Sequence, residues 1–308
     1  MEKTLNKAMK DILEDIKRRF KEGDILTRLI YLNGGGFLIM FLFQIIYGLI
    51  TGASFENSND IFASWTGVPT KDMFEFLIKP YTLLTHMFVH ADIFHIVGNM
   101  LVLYFSGKLF LNYFSKKQFL GLYFLGGITA AFTLIILTSI SPWFTSHTYA
   151  VGASAAVMAI VIGITSYSPN TKIMLFGLFP VKLMWIGIVY VASDLVQFED
   201  TNSAGHLAHL AGAGVGYWFS ASFKQGKDIT KGINKFIDGF LGLFTSKPKM
   251  KVVYNQEKVK NMSDEQYNTH KKTTQKEIDA ILDKISSSGY SSLSKREKDI
   301  LFQHSNKK

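Results

Sequence analysis

The sequence predicts an all-α membrane protein, a bundle of six transmembrane helices with polar appendages at both ends. Three observations carry this reading. Six apolar stretches of roughly spanning length fill the middle of the 308 residues, lysine crowds both ends, and basic residues recur in alternate connecting segments. Nearly half of all residues are apolar, and the formal charge of +9 lies mainly beside apolar runs, where it meets anionic lipid headgroups. Membrane lipids, not nucleic acid, are therefore the expected surroundings. With no cysteine in the chain, disulfides, thiolate catalysis and cysteine-ligated zinc are excluded.

Residues 1–30 are charged throughout, with apolar residues at roughly helical spacing, and read as an amphipathic segment on the cytoplasmic membrane face rather than a cleavable signal peptide. The six candidate spans are Leu32–Ile50, Ile93–Leu111, Phe119–Thr138, Val151–Tyr167, Val181–Phe198 and Gly205–Phe223. Hydrocarbon offers the backbone no hydrogen-bonding water, so helices are expected. Between the first two spans lies a long loop holding Phe62, Trp65, Met73, Phe74, Phe76 and Leu77, broken by Pro69 and Pro80. Short amphipathic helices half sunk in the outer leaflet are expected there.

Lysine and arginine set the orientation. The N-terminal segment, the loop with Lys116 and Lys117, the loop with Lys172 and the segment after Phe223 are basic, whereas Ser139–Ala150 has no basic residue. The long first loop, with Lys71 and Lys79, is a partial exception. Both termini are thus expected in the cytoplasm. Spans four and six then enter from the outer side, which puts Ser154 and His209 within roughly 5–10 Å of that boundary.

Ionisable groups inside a membrane are costly and mark function by default. His86 and His90 lead into the second span, which carries His95 and Asn99, and the last two share a helix face, being four apart. The fourth opens Gly152-Ala153-Ser154-Ala155-Ala156, small residues that admit a close neighbour. The sixth carries His206 and His209, with Gly212 and Gly216 as a GxxxG pair on nearly the face of His209. Each segment alone suits helix packing as well as chemistry. A tight contact between spans four and six, however, brings a serine hydroxyl to an imidazole, the geometry a general base needs. Without an HExxH motif or an acidic partner for these histidines, no metal is expected.

In this order, HxxxN (His95, Asn99), GxS (Gly152, Ala153, Ser154) and AHxxGxxxG (Ala208, His209, Gly212, Gly216) make the chain resemble the rhomboid family of intramembrane serine proteases, over about Tyr31 to Phe223. The resemblance implies a six-span bundle in a bacterial cytoplasmic membrane, with its active site open to the outer face. Ser154 is then the nucleophile and His209 its base, a dyad lacking a carboxylate to orient the imidazole. His95, Asn99 and the Ser154 N–H stabilise the oxyanion, Gly152 shapes that site, and His86 and His90 hold water or brace the first loop. It further implies transmembrane proteins as substrates, with no cofactor, metal or obligate partner. The chain departs from the family pattern at Ala155 (commonly glycine), at Met158 (often tyrosine) and at Thr66, where arginine often follows a tryptophan. The alternative is a non-catalytic rhomboid-like protein that binds membrane clients.

The organisation expected is an N-terminal segment (1–30), a six-span domain (31–223), an amphipathic helix with a flexible basic linker (224–274) and a small helical hairpin tail (275–308). In the linker, Ile229–Phe244 suggests a membrane-surface helix. In the tail, Ile278, Ile281, Leu282 and Ile285 share a face, Gly289 stops the helix, and Ser294 with Glu297 forms a capping-box pattern.

Overall fold

The computed structural model describes residues 11, 14–18, 20–141, 148–175, 177–197, 202–244 and 264–305. Much of the expected N-terminal amphipathic segment lies outside these residues, although 14–18 and 20–22 are helical. Asp24 caps the first long helix, α1 (Ile25–Thr51), its carboxylate accepting the Thr27 N–H at 2.8 Å. The helix therefore starts well before Leu32, where hydropathy alone begins it. It ends at Gly52, whose φ of 72° is left-handed. Along it Leu38, Ile39, Leu42, Ile46 and Leu49 are exposed, the dress of a lipid-facing helix.

The long first loop folds as expected into short helices: α2 (Phe55–Thr66), α3 (Met73–Ile78), α4 (Thr82–Thr85) and a 3₁₀ turn at His86–Phe88. Its exposed Phe55, Trp65, Phe74 and Leu77 suit a surface half sunk in lipid. Then come α5 (Ile93–Leu111), α6 (Lys116–Ile140), α7 (Ser154–Tyr167), α8 (Leu183–Val196) and α9 (Ser203–Lys224). The middle of this group is α7, where every residue from Ala155 to Thr165 is buried. Around it pack Leu103 and Phe110 of α5, Phe119, Leu122 and Tyr123 of α6, and Phe219 of α9.

The described residues are mostly helical, as expected, and two small antiparallel ribbons are added to the helices. In one, β1 (Val68–Pro69) pairs with β2 (Tyr149–Ala150); in the other, β3 (Lys172–Leu175) pairs with β4 (Phe179–Lys182). Val151–Ala153 and Val181–Lys182, both assigned to spans, consequently precede their helices. A left-handed Gly152 at φ 128° interrupts the first, and Pro180, which lacks an N–H, sits in the strand leading to the second. Both strands are apolar enough to look like helix to a hydropathy count.

Three described helices, α1, α5 and α6, are long and apolar enough to cross a membrane. By contrast, α7 and α8 have 14 residues each. Such a helix is about 21 Å long, short of the roughly 30 Å hydrocarbon core. In α9 the length suffices at 22 residues, but glycine, alanine, serine and histidine dilute its hydropathy.

After α9, the surface helix α10 (Lys231–Phe244) packs on the start of α6. Asp228 accepts the Gln118 amide at 3.0 Å, Lys117 pairs with Asp238, and Thr230 and Asn234 press on Gly121. This helix thus belongs to the membrane unit and not, as the expected 224–274 segment has it, to the linker. The chain separates into two compact units, Met1–Thr245 and Ser246–Lys308.

In the second unit, α11 (Asp264–Ser288) and α12 (Lys295–Ser305) flank a 3₁₀ turn at Tyr290–Ser292. Helix already covers 264–274, which the sequence reading leaves as flexible linker; residues 245–263 lie outside the described ones. Gly289 ends α11 with φ 75°. The Ser294 Oγ accepts the Glu297 N–H at 3.3 Å, while Glu297 accepts the Ser294 N–H at 2.6 Å and the Lys284 ammonium at 2.9 Å. Ser294→Ala should cost about 1 kcal/mol of local stability, read as faster amide exchange at Glu297 in the full chain. Hydrogen bonds from Lys284 and Ser294 hold the Glu297 carboxyl at about 2 against an ordinary 4.5. Because that value is depressed in the folded state, its contribution is complete above the ordinary value. Protection of α12 should therefore decline as pH falls from about 4.5 through about 2.

Candidate active site

Two glycines of α9 set the site. A Cβ on Gly212 would lie 2.3 Å from the Ala155 carbonyl oxygen, and one on Gly216 2.4 Å from that of Ala159. The helices therefore touch backbone to backbone. Both contacts advance by four residues on each helix, so α7 and α9 run parallel. One turn before Gly212 on α9 is His209, and just before Ala155 on α7 is Ser154. Close packing thereby delivers one side chain to the other: the Ser154 hydroxyl donates to His209 Nε2 at 2.6 Å.

The approach to Ser154 is braced from three directions. The β1–β2 ribbon fixes the residues upstream. The Gly152 N–H donates to the His86 carbonyl at 2.8 Å, and the Ala153 N–H to His90 Nε2 at 3.4 Å. At Gly152, φ is 128° and a Cβ would lie 2.8 Å from His95 Cε1. Only glycine meets both demands. Ser154 is the first residue of α7, so its N–H belongs to the orphan donors at a helix N-terminus, where the dipole favours negative charge.

Of the remaining sequence-derived residues, His86 is buried, with Nδ1 at 2.7 Å from the Thr82 carbonyl. His90 is also buried and stacks edge-on against His95 at 5.1 Å between centroids. The first of these contacts lies within the first loop, and the second ties the loop to α5. His95 reaches the site through its ring against Gly152. Asn99 is only partly committed there, since one amide N–H returns to the His95 carbonyl at 3.0 Å. Met158 is buried in the core beneath.

The expectation that no acidic partner accompanies these histidines requires correction. Asp194, near the end of α8, accepts the His209 Nδ1–H at 2.9 Å and the His206 Nδ1–H at 2.8 Å, both on Oδ1. Its side chain is only 7% exposed. An acidic partner therefore does accompany these two histidines. Sequence reasoning passes over Asp194, although a carboxylate within the fifth apolar stretch is costly enough to signal it. Asp194, His206 and His209 place donor atoms within 4.8 Å of one another, and by residue type they could ligate zinc. With each imidazole at hydrogen-bond distance from one shared carboxylate oxygen, shared protons already satisfy the group. Beside the site, an apolar groove of about 700 Å³ runs between α7, α8 and α9, lined among others by Val191, Leu195, Leu210 and Tyr217.

A serine at a helix N-terminus, bonded to a histidine that is bonded to a buried carboxylate, defines the class: a helical membrane protein built around a serine–imidazole site. Comparison with known proteins places a domain within the chain. A model of the Rhomboid domain matches residues 78–225, just under half of the chain. The match starts after α1, later than the resemblance from Tyr31. Residues 261–307, containing α11 and α12, match a family of unknown function, DUF6576. The chain is 32% identical over 159 residues to "RHOMBOID-like protein 12, mitochondrial" of Arabidopsis thaliana, covering 48% of this chain and 47% of the relative. It thus spans about half the length of the curated relative it matches.

Proposed function

We propose that this protein is an intramembrane serine endopeptidase that hydrolyses peptide bonds in or near transmembrane segments of membrane proteins. One observation carries the reading: Ser154 Oγ lies 2.6 Å from His209 Nε2 at the N-terminus of a buried helix. Ser154 attacks the scissile carbonyl while His209 Nε2 takes its proton. The oxyanion forms beside the Ser154 N–H, with His95 and the free amide hydrogen of Asn99 as further donors. Each such donor is typically worth about 2.7–4 kcal/mol. His209 then passes its proton to the leaving amine, which departs and leaves an acyl-serine. Water, deprotonated by the same imidazole, attacks the ester, and the carboxyl product leaves with Ser154 restored.

In this proposal α7, α8 and α9 join α1, α5 and α6 as six spans. The basic residues at the cytoplasmic end include Lys108, Lys117 and Lys172, and both termini share that side. Ser154, Asp194, His206 and His209 all lie near the opposite ends of their helices, so the site opens to the outer face. A bacterial cytoplasmic membrane, with its lipids and its transmembrane proteins as substrates, is the setting implied by the rhomboid resemblance.

Detergent-purified protein treated with a fluorophosphonate tests this. Labelling should appear in wild type and vanish in Ser154→Ala and His209→Ala, with fold and expression unchanged. Folded wild type that resists labelling would support the alternative, a non-catalytic rhomboid-like protein that binds membrane clients. Labelling that persists in Ser154→Ala would identify a different nucleophile.

A further inference from the structure

We propose that Asp194 is a positioning residue that makes this site a serine–histidine–aspartate triad, with His206 fixing the carboxylate. The inference rests on the protease reading above and extends it to the third member. A neutral imidazole can act as a base only through its unprotonated nitrogen, and here that must be Nε2, which faces Ser154. Asp194 accepts only from an N–H, so its 2.9 Å contact with Nδ1 selects that tautomer. When Nε2 gains the serine proton, the ring becomes cationic. The adjacent carboxylate then stabilises it without itself taking a proton.

The placement is built rather than incidental. Asp194 is buried near the outer end of α8, and a lone carboxylate there is strongly disfavoured. Two imidazole N–H groups converge on the same Oδ1, and His206 and His209 stand edge-on at 6.0 Å between centroids. His206 thus supplies the second hydrogen bond that stops the carboxylate from rotating away. Across α8 and α9 this tie also joins two helices separated on one side by the apolar groove.

The titrating groups that face His209 are Asp194 from α8, His206 from its own helix and His95 from α5. The test is the rate of fluorophosphonate labelling from pH 5 to pH 10 for wild type, Asp194→Asn, Ser154→Ala and His209→Ala. An asparagine amide donates to Nδ1 and leaves the proton on Nε2, so the base is lost while the shape is kept. Labelling of Asp194→Asn should fall about 10²–10⁴-fold at pH 7. Its residual rate should rise with hydroxide instead of levelling off after the imidazole titrates. A purely structural role for Asp194 would lower the amount of protein that labels but leave the rate and its pH profile unchanged. Wild-type rate and profile in Asp194→Asn, with both Ser154→Ala and His209→Ala silent, would overturn the triad and leave the dyad standing. Unlabelled wild type would overturn both.

Discussion

Gly212→Val is expected to abolish fluorophosphonate labelling of Ser154 and to lower the thermal stability of the membrane unit sharply. The first added carbon alone would lie 2.3 Å from the Ala155 carbonyl oxygen and 3.2 Å from its α-carbon. These are backbone atoms, so no rotamer can yield and α9 must withdraw from α7. His209 sits three residues earlier on α9 and must withdraw with it. A misplacement of about 1 Å can cost about 10²-fold in rate even when the chemistry is intact. Here the displaced contact is the 2.6 Å serine–imidazole bond itself. Overpacking adds typically about 1–3 kcal/mol of destabilisation, and more where backbone must move. Gly214 is the internal control: it is exposed, and nothing lies within 4 Å of its would-be Cβ. Gly214→Ala should keep labelling and raise helix stability by up to about 1 kcal/mol. Equal behaviour of the two variants would show that the close α7–α9 approach does not position the pair.

That contact also explains how much could be read beforehand. Gly212 and Gly216 sit four apart and His209 three before them, so a helical wheel alone predicts one face. A serine among small residues on another apolar run supplies the complementary surface. Ser154 and His209 were legible for that reason: each lies at a fixed offset from the residues that let helices touch. Asp194 was not. Its link to His209 crosses from α8 to α9, and no periodicity connects residues on different helices. The only trace in the sequence is an acidic residue within an apolar run, and averaging over the run conceals it.

The fold divides along similar lines. Ile93–Leu111 agrees with the structure at both ends because Asp92 caps the helix just where the apolar run starts. Spans four and five begin late, since backbone conformation and not hydropathy determines the start: Gly152 must be left-handed, and Pro180 lies in a strand. Strands of two to four mostly apolar residues are too short to carry a periodicity that separates them from helix. Asn99 stands at its expected helical offset from His95. What spacing could not show is that its amide already bonds the carbonyl one turn back.

Gly152→Ala should reduce labelling more than tenfold, because two independent constraints meet at one atom. At φ 128° an L-residue is strained, a cost of order 1–3 kcal/mol. The added methyl would also lie 2.8 Å from Cε1 and 2.9 Å from Nε2 of His95, and 3.7 Å from the Ser154 hydroxyl. Relief requires either that His95 leave the proposed oxyanion region or that the Gly152–Ala153 backbone turn, taking the Ser154 N–H with it. Both routes remove a donor from the developing negative charge, which is typically worth about 2.7–4 kcal/mol of the barrier. Gly226 separates strain from collision. It too is left-handed, at φ 76°, but nothing lies within 4 Å of its would-be Cβ. Gly226→Ala should therefore lower stability by about 1 kcal/mol and leave the labelling rate of folded protein unchanged. If Gly152→Ala merely matched that result, the region between His95 and Ser154 would not be where the oxyanion forms.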